Sequence, residues 1–224
     1  MRESQDTKMN YFTIIVSREE GIIGKYPQVI TDTKPFEWLL PPLNLEYRFD
    51  KFLNFDKYFD IILDDKAILT DVIERASLSW GLVVNERLKK IFVEFNLPQH
   101  RFYPINVIHR DISYQYYWFH FYVNLFDYVD YEKTVFEIFI SNPFTILEAL
   151  PLKSEIFFKE KERNLDYKKS IRLREVYFNN AFPFYDIFEN NIYGGVFISK
   201  KLLDKLLENE ITGFEYHEQN FIKV

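Results

Sequence analysis

Four histidines, His100, His109, His120 and His217, are the side chains here best suited to ligate a metal, and a metal site needs two or three of them to converge. His109 and His120 flank a turn expected near Ile112. In such a hairpin His109 faces about position 115 and His120 about position 104, which separates them by roughly 20 Å or more at about 3.3 Å per residue. Both therefore read as hydrogen-bonded strand histidines. Carboxylates are paired at Glu19-Glu20, at Asp64-Asp65 and across Asp127, Asp130 and Glu132. A glycosidase or metal-dependent nuclease would bring two such groups into a cleft, but solvated turns explain such pairs more economically in an acidic chain. No serine sits in a G-x-S-x-G elbow. The six glycines form no phosphate-cradling pattern, and Gly194-Gly195 reads as a turn before a strand. With no cysteine, thiol nucleophiles, disulfides and Cys-ligated zinc or iron–sulfur sites are excluded. These residues lead to the expectation of a binding protein, with no catalytic residue, no metal and no cofactor.

Composition sets the frame for that expectation. A chain of 224 residues, 47% hydrophobic and 28% charged, can bury a substantial core as one compact unit. Aromatic residues reach 19%, and plain core packing accounts for most of them. The net charge of −6 disfavours a nucleic-acid partner, which would call for a basic surplus. The polar start lacks an apolar secretory segment, and runs such as Val135–Ile140 fall far short of a membrane span. The expected location is the cytoplasm, with no membrane partner. Acidity concentrates between Asp111 and Leu152, where Asp111, Asp127, Asp130, Glu132, Glu137 and Glu148 face one base, Lys133. The mixed charges of Lys159–Asp166 read as a solvated loop.

The elements that would position these residues begin with a strand over Tyr11–Val16. Four prolines between Tyr26 and Asn44 read as a meandering loop. A further strand is expected over Tyr58–Leu63. A repeat then organises the chain. Asp71-Val72-Ile73-Glu74 and Gly81-Leu82-Val83-Val84-Asn85-Glu86-Arg87-Leu88 return as Asp186-Ile187-Phe188-Glu189 and Gly195-Val196-Phe197-Ile198-Ser199-Lys200-Lys201-Leu202. The upstream Asp aligns only with a one-residue gap. Asn85 and Ser199 suit helix N-caps. Leu88, Ile91, Phe92 and Phe95, and Leu202, Leu203, Leu206 and Leu207, have the spacing of core-facing helix stripes. Leu97-Pro98 and Thr212-Gly213 read as stops before the aromatic strands at Phe102-Tyr103 and Phe214–Tyr216. Each copy is thus strand, capped helix, strand. Between them, Tyr103–Ile108 and Tyr116–Val123 form a hairpin candidate, its second strand aromatic on both faces. The expected fold class is α+β (mixed α/β), a duplicated strand–helix–strand unit around an aromatic-rich, largely antiparallel sheet. Residues 1–70 would be an N-terminal strand and Pro-rich meander packed on a main domain of 71–224, with repeats at 71–103 and 186–216.

The Gly81–Leu88 run, Asn96-Leu97-Pro98 leading into Phe102-Tyr103-Pro104, the Tyr116–Phe121 strand, and the Gly195–Leu202 and Ile211–Phe214 segments together resemble a bacterial family of immunity proteins from polymorphic-toxin systems. Asn85 stands where that family carries Ser, a change that capping tolerates. The resemblance covers about Asp71 to Tyr216. It implies a protein made beside a toxin, which it binds and blocks, with the chemistry lying in the partner. On that reading a basic toxin such as a nuclease would meet the acidic stretch through Asp127, Tyr128, Asp130, Tyr131, Glu132 and Glu137. The alternatives are a hydrolase whose carboxylates converge only in three dimensions, and a non-catalytic accessory or scaffold subunit.

Overall fold

A computed structural model of the chain describes residues 10–33, 52, 60–76, 78, 80–189 and 195–223. In chain order the elements are β1 (Tyr11–Val16), α1 (Glu20–Ile23), β2 (Val29–Asp32), β3 (Asp60–Leu63), β4 (Val72–Ile73), β5 (Leu82–Asn85), α2 (Glu86–Phe92), β6 (Gln99–His109) and β7 (Ile112–Tyr122). They continue with β8 (Val135–Ser141), β9 (Phe144–Pro151), α3 (Glu155–Arg163), β10 (Lys169–Tyr177), β11 (Ile187–Glu189), β12 (Val196–Ser199), α4 (Lys200–Glu208), β13 (Phe214–Gln219) and β14 (Ile222–Lys223). The strands form sheets of order β2-β3-β6-β7-β5-β4, β11-β12-β1-β13 and β14-β10-β8-β9, mostly antiparallel. The fold is α+β, as the sequence predicts.

The duplication extends further than the repeated motif. Asn85 pairs with Tyr116 on β7, and its counterpart Ser199 pairs with Tyr11 on β1. Phe119 pairs onward to Phe102, and Ile14 to Tyr216. Parallel contacts then join Ile108 to Ile62 and Ile222 to Val176. The order β3-β6-β7-β5-β4 therefore recurs as β10-β14/β13-β1-β12-β11. In the first unit the central strand β7 follows β6 through a hairpin. In the second, the equivalent strand is supplied by β1, from the other end of the chain.

The two helices meet in one core. Asn85 accepts the Leu88 N–H at 3.0 Å and Ser199 the Leu202 N–H at 3.1 Å, so both caps form as expected. Leu88 and Phe92 of α2, and Leu202, Leu203 and Leu206 of α4, are buried together with Phe119 and Phe121 of β7. Tyr116 and Trp118 on the opposite face of β7 pack with Tyr103 and Ile105 in a second cluster. β7 is thus covered on both faces. A third cluster, with Phe126, Phe136 and Phe158, lies between α3 and the β10-β8-β9 sheet. Gly213 approaches β4 so closely that a Cβ there would stand 2.1 Å from the Val72 carbonyl oxygen.

Several local expectations are corrected. The hairpin turns at Arg110-Asp111, both with positive φ (51° and 61°), the two-residue form that matches strand twist. His109 therefore faces Ile112, and His120 faces Arg101. The two histidines still lie roughly 25 Å apart along the ladder. α2 ends at Phe92, and α4 at the Asn209 cap with Glu210 left-handed, ahead of the expected Thr212-Gly213 stop. The charged Lys159–Asp166 segment, read as a loop, belongs largely to α3. Ser154 caps it by accepting the Phe157 N–H, Lys159 pairs with Glu155, and Phe158 anchors the inner face. Within the Pro-rich stretch, Val29–Asp32 is a strand laid against β3, where its backbone groups find partners; residues 34–44 lie outside the described residues. So do Tyr58 and Phe59 of the expected Tyr58–Leu63 strand, and Gly194 of the expected turn.

Candidate functional site

The duplication engages two aspartates at equivalent places, Asp71 and Asp186. Asp71 accepts from Asn85 (2.8 Å), from Arg87 through two contacts (2.9 and 2.6 Å), and from the Thr212 N–H (2.8 Å) and hydroxyl (3.0 Å). Burial alone would raise its pKa, but the Arg87 guanidinium, Thr212 and Asn85 hold it below its ordinary value. Its counterpart Asp186 accepts from Ser199 (2.6 Å) and from the Asn96 N–H (2.9 Å). Each aspartate therefore orders the cap of its own unit and the turn after the helix of the other. Tyr116 donates to the Thr70 carbonyl at 2.7 Å and Tyr11 to the Tyr185 carbonyl at 3.0 Å, at equivalent places. This arrangement clamps two halves together and leaves neither carboxylate free for chemistry.

A cavity of about 350 Å³ lies beside β1, and Glu74, Glu189, Arg75 and Gln28 are among its lining. Glu189 is 5% exposed. Its Oε2 accepts the Gly81 N–H at 2.7 Å, and Oε1 lies 3.4 Å from Arg75. Burial pushes its pKa up to about 7, against the opposing pull of Gly81 and Arg75. A raised carboxyl in a cavity is a candidate acid–base group. Here both oxygens already have partners that fix the β4–β5 turn, which is what a structural role requires. Its counterpart Glu74 accepts the Val29 N–H at 3.3 Å.

The acidic residues expected to face a partner are spread over a turn and a strand. Asp127 ends a 3₁₀ turn, Leu125–Asp127, where it is exposed and accepts from Asn124. Asp130 accepts the Glu132 N–H and pairs with Lys133 at 3.1 Å, which lowers its pKa. Glu132 is exposed. Tyr128 packs its ring against Phe182 and Tyr185, and Tyr131 donates to the Phe126 carbonyl at 2.8 Å. The turn brings Asp127, Asp130 and Glu132 to one region, whereas Glu137 lies apart on β8, 1% exposed and bonded to the Arg172 Nε at 2.6 Å. Among the described residues, no three His, Asp or Glu side chains are grouped so as to hold a metal. No helix among them is long and apolar enough to cross a membrane.

Sequence reasoning overlooked the β8–β9 hairpin. Phe144, Ile146 and Leu147 on β9 are 54, 49 and 46% exposed. Arg172 from β10 sits 5.2 Å from the Phe139 ring centroid and 4.9 Å from that of Phe144. Two short β-branched and aromatic runs around Asn142-Pro143 were the signal available for it. No curated protein matches the chain. Residues 6–220 match the model of a family described as Immunity protein family (Imm11), and that match takes in most of the first 70 residues as well as the repeat.

Proposed function

Because the chain belongs to the Imm11 immunity protein family, we propose that it binds a cognate bacterial toxin domain and neutralises it by occlusion, taking no part in chemistry itself. The family match over residues 6–220 carries this reading. The side chains support it: three of the four buried carboxylates, Asp71, Asp186 and Glu189, are engaged in holding the two units together, and the fourth, Glu137, is paired with Arg172. The place of action is the cytoplasm of the producing cell, before the toxin leaves it. The net charge of −6 favours a basic toxin such as a nuclease. Exposed Asp127 and Glu132, with Asp130 beside them, would steer its approach, and Tyr128 and Tyr131 form the rim of that turn. Glu137, expected from the sequence to join them, is buried on β8 and neutralised by Arg172, so it adds nothing to that steering.

The test is growth protection. Candidate toxin domains from the genes flanking this one are each expressed in a sensitive bacterium with and without the chain. Protection against one of them is the expected result, together with a stable complex of the purified proteins. Unchanged killing by all of them and no complex would overturn the proposal.

A further inference from the structure

β9 stands at the edge of its sheet: it pairs with β8 on one side, and among the described residues no strand pairs with the other. Residues 144–149 are exposed without interruption. Natural edge strands are guarded by lysines, by inward charges or by short length, because their unpaired N–H and C=O groups recruit other strands. β9 is eight residues long and carries one ionisable side chain, Glu148. Pro143 and Pro151 stand outside or at the end of the exposed run, and the pairing with β8 is irregular only at Leu147, where a bulge sets Ile146 opposite Phe139 and Glu148 opposite Ile138, so the edge on either side of that bulge is open to pairing. On the sheet face next to that edge, the Phe139 and Phe144 rings contact each other and the Arg172 guanidinium of β10 lies over both, held by its ion pair with Glu137. Aromatic rings with a pre-positioned arginine are the composition of interface hot spots, since little side-chain freedom is left to lose on binding.

We propose that β9 is the docking strand for the toxin: an extended, apolar, net-basic segment of the toxin adds to this edge, its side chains seated on Phe144, Ile146 and Leu147. The inference rests on the immunity reading and gives it a location. Backbone groups on an open edge select an extended segment, and apolar pockets beside alternate residues select its side chains. Charge decides between occupants. Two copies of this chain, each at −6, repel one another, whereas a basic partner is drawn to the surface and can pair with Glu148.

The experiment uses the full chain and the purified candidate toxin domains from the flanking genes. Ile146→Lys and Leu147→Lys place charges at exposed positions, and thermal melts matching the native chain verify that both variants fold. Each is expected to weaken the complex about 30-fold or more, mainly through faster dissociation. Hydrogen exchange at the amides of 144–150 is expected to slow in the native complex. If the native chain binds the toxin while both variants bind equally well and those amides stay unprotected, the docking strand is wrong and the immunity reading survives. If the native chain neither binds nor protects, both fall. Light scattering of the chain alone is expected to give a monomer; a dimer broken by Ile146→Lys would make β9 a self-pairing edge and overturn the proposal.

Discussion

At the residue scale, one repeat supplied two chemically different glutamates. Glu74 and Glu189 occupy equivalent places after β4 and at the end of β11, yet only Glu189 is buried against the Gly81 N–H and Arg75. Its pKa rises from an ordinary 4.5 to about 7, so the folded state binds its proton more tightly than the unfolded chain does. The stability it contributes is fully present below pH 4.5 and is lost as pH rises through about 7. The whole excursion amounts to about 3 kcal/mol. Glu189→Gln is expected to flatten the dependence of denaturant stability on pH across that window; an unchanged slope would show that Glu189 is not the responsible group. Asp71 acts in the opposite sense. Its lowered pKa contributes stability above its ordinary 3.8 that is lost on acidification. The caps Asn85 and Ser199 were legible because a side chain bonding three residues ahead is a local event. Glu137 was not, because its partner Arg172 is distant in sequence and meets it only through strand pairing.

At the element scale, the helices α2 and α4 owe their stability to packing more than to length, since α2 spans only Glu86–Phe92. Leu88 and Leu202 are both 0% exposed and share one core. Leu88→Ala and Leu202→Ala are each expected to cost about 2–5 kcal/mol in chemical denaturation, as large-to-small core changes do. Losses well below 1 kcal/mol would mean that the helix faces pack elsewhere. Periodicity disclosed these stripes because both helices are amphipathic. It failed for α3, where Phe158 alone is buried and every residue from Lys159 to Arg163 is charged, so that part of the helix looks like a loop when charge density is read without its cap. The hairpin register was misplaced because Arg110-Asp111 adopts left-handed backbone without a glycine to announce it.

At the scale of the whole molecule, β1 completes a sheet whose other strands come from the far end of the chain. It lies between β12 and β13, with Tyr11, Phe12 and Ile14 buried at 1, 8 and 3%. Deleting residues 1–16 is expected to abolish the cooperative thermal transition, because β12 and β13 would each lose a ladder and the shared core would lose one wall. A synthetic peptide of residues 10–18, added in trans, is expected to restore it in part. A truncated chain that melts as the native one does would show that β1 is dispensable. Residues 6–70, outside the segments that carry the resemblance in the sequence, also fall within the family match. Their strands β1 and β3 are members of the two repeated sheets.

The amino-acid sequence alone determined the repeat, its caps, its apolar helix faces and the aromatic central strand, because each depends on residues within a few positions of one another. It also carried the family, through the Gly81–Leu88 and Gly195–Leu202 runs. Tertiary structure alone decided that β1 replaces the missing strand of the second unit, that Asp71 and Asp186 each hold the opposite half, and that Glu137 lies beneath the surface. It alone left β9 as an open apolar edge. These are outcomes of pairing between distant segments, and whether a given Phe or Glu ends inside or outside depends on which strand arrives beside it.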